Sequence, residues 1–356
     1  MNPSDDSSAG QIQLNPSDRG TPFGRFRLLD RIGTGDVAEI FRAIVVGVEG
    51  FERRVAIKVM RGDVAENEVG RLFAEEARVT AMLDHAGVVQ VYEFGVIESA
   101  PYIAMEYIRG KNLAEVLSGL RALNERLPPA LAVFIATELA TALAHAHESE
   151  DNHGLALRIV HAGIAPANVM LGREGAVKLL DFGVWPLLAA PQALVTREGR
   201  RVPPHAAYLS PEQALGEEID EGTDLFSLGV VMWEMLTGRP LFPGKTERQT
   251  LKNVLHADIP PPSSFAPEVP PSLDDIVLTA LSRDRARRYR GASDLGRDLE
   301  EVALTLPRRH GDLGALIDRL SSSPHDSGSM RTLAVDAAAD KTRTPAPREP
   351  SPLSLP

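Results

Sequence analysis

The hydrophobic period of this 356-residue chain turns mainly helical near residue 110, and that change restricts it to a mixed architecture with strands first and helices second. Before it, "FRLLDRIG", "AEIFRAIVVG", "RRVAIKVM", "VVQVYEFGVI" and "YIAMEYI" are β-rich runs separated by glycine or charge. Such runs read as strands of an antiparallel meander. One helix interrupts them: residues 70–84, "GRLFAEEARVTAMLD", set Leu72, Ala77, Val79 and Leu83 among charges at helical spacing. After "GKNL" the chain turns helical, with a long apolar-periodic run "PALAVFIATELATALAHAHE" and a second, "DLFSLGVVMWEMLTG", that stops at Gly238 as a helix C-terminus does. The fold class expected is α+β: a small antiparallel β lobe with one helix, then a larger α-helical lobe.

Composition narrows the function. Hydrophobic residues make up 43% of the chain, enough to bury a core, and the net charge of -11 argues against broad attachment to nucleic acid or to an anionic membrane. The absence of cysteine excludes disulfides, thiolate metal sites and cysteine nucleophiles. The first residues, "MNPSDDSSAG", lack the basic start and apolar run of a secretory signal, and no uninterrupted apolar stretch approaches the ~18 residues that span a bilayer, so a cytoplasmic protein is expected. Residues 1–24 and the polar, proline-rich end from 306 to 356 cannot bury much apolar surface and are expected to be disordered, wholly or mostly. That leaves residues 25–305 as the folded domain, with the β lobe at 25–107 and the α lobe at 108–305.

Over this domain an ordered set of motifs resembles the protein kinase family, in particular bacterial serine/threonine kinases of the eukaryotic type. "IGTGDVAEIF" resembles the glycine-rich loop, "VAIK" ending at Lys58 the phosphate-binding strand, Glu76 its partner on the helix, "MEYI" the hinge and "DFG" at Asp181–Gly183 the metal-binding turn. "SPEQ" at Ser210–Gln213 resembles the end of the activation segment, and "DLFSLGVVMWEMLTG" the buried helix that follows. Each tripeptide alone is weak; their order and spacing are specific. A rival phosphate motif, "GRPLFPGKT" from Gly238, has five residues between its glycines where a Walker loop needs four, and carries two prolines that remove amide donors. It reads as a surface loop.

The resemblance implies a nucleotide site. Gly33 and Gly35 would lie over the phosphates, Lys58 held by Glu76 would bind them, and Asp181 with Asn168 would ligate Mg²⁺. Ile40, Ala56 and Met170 would enclose adenine beside the backbone of Glu106 and Ile108. The alternative readings are a snorkelling surface lysine at Lys58 with a solvated helical Glu76, a turn residue at Asn168 and ordinary core packing for the apolar set. Ala38 replaces the third glycine, and Asp36 at the loop tip either repels phosphate or points outward; ATP and Mg²⁺ binding is expected to be weakened.

The catalytic positions are where the chain departs from the family. The "HRD" triplet is His161, Ala162 and Gly163, and the lysine two residues on is Ala165. Gly163 can accept no proton, Ala162 cannot pair with a phosphorylated segment and Ala165 cannot neutralise the transferring phosphate. His161 corresponds to a packed core histidine, and neither Asp151 nor Glu174 is an evident replacement for the missing acid. His205 stands where active kinases carry threonine or serine, Trp185 and Pro186 follow the "DFG" turn, and Thr196 lacks an arginine receiver. Scaffold landmarks persist: Glu212 is expected to pair with Arg288, Asp224 to cap the helix that follows it, Gly229 to permit close packing and "RDRARRYR" to be structural. The reading is a pseudokinase that scaffolds or regulates protein partners, such as an active kinase or its substrate, gated by ATP. The alternatives are an active kinase or other nucleotide-transfer enzyme with a substitute base, and a platform for tails marked at Ser323, Thr344 and Ser351.

Overall fold

The computed structural model describes residues 20–35, 38–47, 50–61, 68–151, 153–182, 206–307 and 312–322. Strands β1 (Thr21–Phe23), β2 (Phe26–Thr34), β3 (Ala38–Val46), β4 (Glu52–Met60), β5 (Val91–Ile97) and β6 (Ala100–Glu106) form one antiparallel sheet in the order β1-β2-β3-β4-β6-β5. Helix α1 (Glu68–Ala81) is inserted between β4 and β5. Alternation along β4 sorts its side chains: Val55, Ile57 and Val59 join Phe26, Leu28, Phe41 and Tyr102 on one face, while Ala56 and Met60 join Ile103, Met105 and the α1 residues Phe73 and Ala77 on the other. Lys58 falls between Ala56 and Met60 by the same period, which aims it at α1.

The polar leader is shorter than the sequence suggests. Thr21 and Phe23 pair with Leu28 and Phe26, and Phe23 packs edge-on against Tyr102 at 5.6 Å between ring centroids. One aromatic side chain with a neighbouring strand to pair with is enough to add β1 to the sheet edge.

The α lobe opens with β7 (Gly110–Asn112), which pairs with β8 (Val169–Gly172), itself paired with β9 (Val177–Leu179). Gly110 is required there, because a Cβ would lie 1.8 Å from the Leu171 carbonyl oxygen. Helix α2 (Leu113–Ala122) follows at once, its start fixed by a capping box in which Asn112 and Glu115 each bond the other's backbone N–H. Helices α3 (Pro129–His147), α4 (Pro211–Leu215), α5 (Glu221–Thr237), α6 (Glu247–His256), α7 (Pro271–Ala280) and α8 (Ala292–Ala303) complete the lobe.

Helix α3 is the one described helix that approaches a membrane span in length, although Glu138 and the threonines interrupt its apolar run. It is long and apolar enough by composition, with a mean hydropathy of 1.4, yet 56% of that window is buried inside the protein, where α3 packs on α5 and α8. Helix α5 is buried from Thr223 through Thr237 and ends at Gly238, whose φ of +71° is the left-handed terminus expected of a glycine. A Cβ on Gly229 would sit 3.0 Å from Leu281 Cγ, so α5 and α7 approach at a distance that excludes a side chain.

Two further expectations are corrected. The cap of α5 is Asp220, whose carboxylate accepts from the Gly222 N–H; Asp224 lies a turn further in, fully buried, and is turned to another task. The C-terminal segment assigned as mostly unstructured from 306 contains helix α9 (Asp312–Ser321), which buries Leu313, Leu316, Ile317 and Leu320 on one stripe. Its helical apolar period is legible but short, and proline and charge on either side mask it.

Candidate active site

The end of β4, the middle of α1 and the turn after β9 bring three charges together. Lys58 Nζ lies 2.5 Å from Glu76 Oε1 and 3.0 Å from Asp181 Oδ1, with the Lys58 side chain 13% exposed and that of Glu76 6%. Burial opposes the ammonium charge, but Asp181 and Glu76 outweigh it and hold the Lys58 pKa above its usual value. Two carboxylates beside one cation cannot both ionise cheaply. Burial and the adjoining Asp181 push Glu76 up to about 8, whereas Asp181, despite its burial, is held below the ordinary carboxylate range by Lys58 and by a hydrogen bond from Glu76. The two carboxylates are thus driven in opposite directions about one ammonium, Glu76 toward its protonated form and Asp181 toward its ionised form.

Asp181 pays a conformational cost for this position, since its φ is +63°, a left-handed value unusual for a residue with a side chain. The backbone before it is fixed on both sides: Leu180 donates its N–H to the Asn168 carbonyl and accepts from His161 Nε2, at 2.9 Å in each case. Asn168 closes the short helical turn Pro166–Asn168 and donates its Nδ2 to the Gly163 carbonyl at 2.8 Å, which presents the amide oxygen as its remaining ligand atom. Asp181 and Asn168 carry hard oxygen donors of the kind that suits Mg²⁺, and Lys58 bonds to Asp181.

Of the expected adenine residues, Ile40, Ala56 and Ile108 share one apolar cluster with Met105 and Leu180, and Met170 is buried on β8 in register with Lys178 of β9. Glu106 is pinned by its side chain, which accepts from the Gln90 N–H at 2.8 Å and from Lys178 Nζ at 2.5 Å. In the glycine-rich loop, Gly33 faces Ile40, and Gly35 closes its turn by donating to the Ala38 carbonyl. Asp36 lies outside the described residues, as do Gly183, Trp185, Pro186, Thr196, His205, Ser323, Thr344 and Ser351.

Asp224 holds the catalytic loop from below. Its carboxylate accepts the N–H groups of His161 and Ala162 at 2.8 and 2.7 Å and bonds His147 Nε2 at 2.8 Å. The Ala162 carbonyl accepts from Gln213 Nε2 at 2.8 Å, so this residue, with φ at +56°, is locked at both backbone groups. Ala165 is fully buried. At Gly163 the backbone does not require glycine: its φ is outside the left-handed range, and an added Cβ would meet nothing closer than His161 Nδ1 at 3.6 Å. His161 is buried against the Phe182 ring, 4.5 Å between centroids, and burial lowers its pKa.

Sequence reasoning brought together Lys58, Glu76, Asp181, Asn168 and the Glu212–Arg288 pair, but missed Lys178, Gln213 and His147. The strand alternation Val177-Lys178-Leu179 placed a lysine between two buried neighbours, and the S-x-x-Q capping box of α4 flagged Gln213; only the end of a long helix marked His147. Within the basic "RDRARRYR", Arg283 and Arg288 bond inside the fold, while Arg287 and Arg290 are exposed. Arg283 bonds the carbonyls of Val254, Asn253 and Ala257, Arg285 pairs with Asp220, and Arg288 is buried on Glu212. "GRPLFPGKT" is a surface loop whose Thr246 caps α6.

The protein kinase domain family matches residues 26–295. Among characterised relatives, the chain is 36% identical over 282 residues to the tyrosine-protein kinase MasK of Myxococcus xanthus, covering 78% of this chain and 43% of that protein. It is 34% identical over 278 residues to the serine/threonine-protein kinase PrkC of Bacillus subtilis, covering 78% and 40%, and 35% identical over 283 residues to PknB of Mycolicibacterium smegmatis, covering 78% and 43%. The chain thus spans less than half the length of these relatives. The kinase domain of a Mycobacterium tuberculosis PknI double mutant superposes with a TM-score of 0.59 at 23% identity, over 81% of this chain and 99% of that one.

Proposed function

The chain belongs to the protein kinase family, and from that premise we propose that it is a phosphotransfer-impaired member: a pseudokinase that responds to ATP and regulates protein partners in the cytoplasm. The observation that carries this reading is the pairing of an assembled charge cluster with an empty base position. Phosphoryl transfer asks the protein to position phosphates and to orient the accepting hydroxyl. Lys58, steadied by Glu76, fits the first task. Gly163 offers nothing for the second, and His161, with both ring nitrogens engaged, offers no proton acceptor in its place.

Asp181 and Asn168 would hold Mg²⁺, which would supply neutralisation of charge on the phosphates. The chain's own residues supply the rest of the fit: an ionised Asp181, an ammonium already paired, and an apolar slot at Ile40, Ala56 and Ile108. Loss of a general base costs about 10²- to 10⁴-fold, which takes the family's ~1 to 100 s⁻¹ down to about 10⁻⁴ to 1 s⁻¹. The intact Lys58 cluster favours one second reading, slow residual transfer, because positioning outweighs the base in a loose transition state.

Two measurements on the purified chain test the proposal. Calorimetry with ATP, with and without Mg²⁺, is expected to show magnesium-assisted binding. Phosphate incorporation into a general protein substrate is expected to stay at least about 100-fold below a family rate of 1 s⁻¹; a turnover of that order would overturn the impaired reading, and absence of binding at millimolar ATP would overturn the nucleotide response. The protein partners expected are an active kinase or its substrate, recovered by capture with the intact chain.

A further inference from the structure

Helix α9 lies beyond residue 295, where the family match ends, yet it is seated closely. Leu313, Leu316, Ile317 and Leu320 are buried in the same cluster as Leu117 and Leu120 of α2. Two glycines let the surfaces meet: a Cβ on Gly314 would lie 2.2 Å from the Arg173 carbonyl oxygen, and one on Gly119 would lie 3.2 Å from Leu320 Cδ2. Ion pairs flank the contact. Arg319 makes two bonds to Glu125, at 2.8 and 2.7 Å, and Arg173 Nε lies 3.1 Å from Asp318 Oδ1.

The seat is the part of the α lobe joined directly to the hinge. Arg173 donates its N–H to the Arg109 carbonyl at 2.9 Å, Gly110 lies against the Leu171 carbonyl, and α2 begins at the Asn112 cap. A helix of ten residues is too short to persist alone in water, so α9 is helical when docked and loses its helix when released. That makes it an element with two states, touching the turn that supports residues 106–112.

We propose that α9 is a strap docked in cis on α2 and the β8–β9 turn, and that its seating sets the order of hinge residues 106–112 and, through them, the affinity of the adenine slot. The second half rests on the nucleotide reading above; the first does not. Coupling is reciprocal: a ligand that orders the hinge tightens the strap, and release of the strap adds an ordering cost to ligand binding.

The test uses the full chain and hydrogen exchange of Gly314→Val, whose side chain cannot fit against Arg173. Expected is faster exchange at 312–322 and also at 106–113, with ATP bound about fivefold more weakly, the lower end of usual coupling between sites. A second series guards against a folding defect. Arg319→Glu is expected to reproduce the effect in part, and Arg319→Glu with Glu125→Arg to restore it. Faster exchange confined to 312–322, with 106–113 unchanged, overturns the proposal. If the unaltered chain binds no ATP, the nucleotide reading falls, and the exchange at 106–113 still decides the strap.

Discussion

The backbone N–H of Gly163 donates to His161 Nδ1 at 3.1 Å, and that bond fixes the protonation of the only ring in the catalytic triplet. With Nδ1 accepting, the proton sits on Nε2 and is given to the Leu180 carbonyl at 2.9 Å. Burial keeps the ring neutral. His161 is therefore a spacer between the loop and the Asp181 turn, holding both in place through its two nitrogens, and has no lone pair to offer a substrate hydroxyl.

Because the φ of Gly163 is outside the left-handed range and an added Cβ has 3.6 Å of clearance, Gly163→Asp should fold without strain and stand beside Asn168. Removing the glycine also reduces the freedom of the unfolded chain, so stability is expected to hold or rise by about 0.4–1 kcal/mol. The expected gain in phosphate transfer is about 10²-fold, the lower end of what a general base contributes, since Ala162 and Ala165 remain blank. Single-turnover transfer from labelled ATP measures it. A variant that folds, binds ATP and gains nothing would place the defect at those other two positions.

Lys58→Ala leaves Glu76 and Asp181 facing each other in a buried site without their cation. Breaking a buried pair on one side destabilises by about 3–5 kcal/mol, partly relieved here because Glu76 already carries a proton. The expected outcome is a lower melting temperature and loss of any magnesium-dependent stabilisation by ATP. Thermal shift with and without Mg²⁺ reads both at once, and retention of the ATP shift in the variant would remove Lys58 from the phosphate site.

The proton on Glu76 gives the cluster a pH signature. Its pKa is raised from the usual carboxylate value to about 8, so the folded state binds more protons than the unfolded state between those limits. That contribution is complete below the unfolded pKa and is lost as pH rises toward 8. Stability is expected to decline over that window, and Glu76→Gln to flatten the decline. Asp181 runs the other way: its pKa is lowered, so its contribution is present at neutral pH and is lost in acid. Denaturation midpoints at pH 5 to 9 for both chains decide it; parallel curves would mean that Glu76 is ionised throughout.

Much of this arrangement was legible before the structure because strand alternation and motif order are local signals. Period two on "VAIKVM" sends Lys58 to the face of Ala56 and Met60, and Glu76 is on the helix that face meets. What was not legible depends on three-dimensional return paths. Asp224 resembles a helix cap in sequence, but the acid at 220 takes that role and frees Asp224 to accept two N–H groups from a loop sixty residues earlier. Helix α9 is ten residues in a polar tail; its short apolar period is local, but the seat it packs on, at Gly119 and Arg173, is not.

The Glu212–Arg288 pair separates scaffold from chemistry. Both side chains are buried, and Arg288 makes bonds of 2.6 and 2.8 Å to the two Glu212 oxygens while its Nε donates to the Ser282 carbonyl. Burial works against ionisation of Glu212, but Arg288 and the Thr223 hydroxyl hold its pKa below the usual value. The stability it supplies is present above the unfolded pKa and is lost as pH falls through the folded one. Arg288→Met alone should cost about 3–5 kcal/mol because it strands a carboxylate, whereas Arg288→Met with Glu212→Leu should cost less than the single change. Urea denaturation of the three variants closes the cycle. A double variant that costs as much as both single changes added would show that the two side chains act independently, and the link between the α4 segment and the loop before α8 would then rest on packing alone.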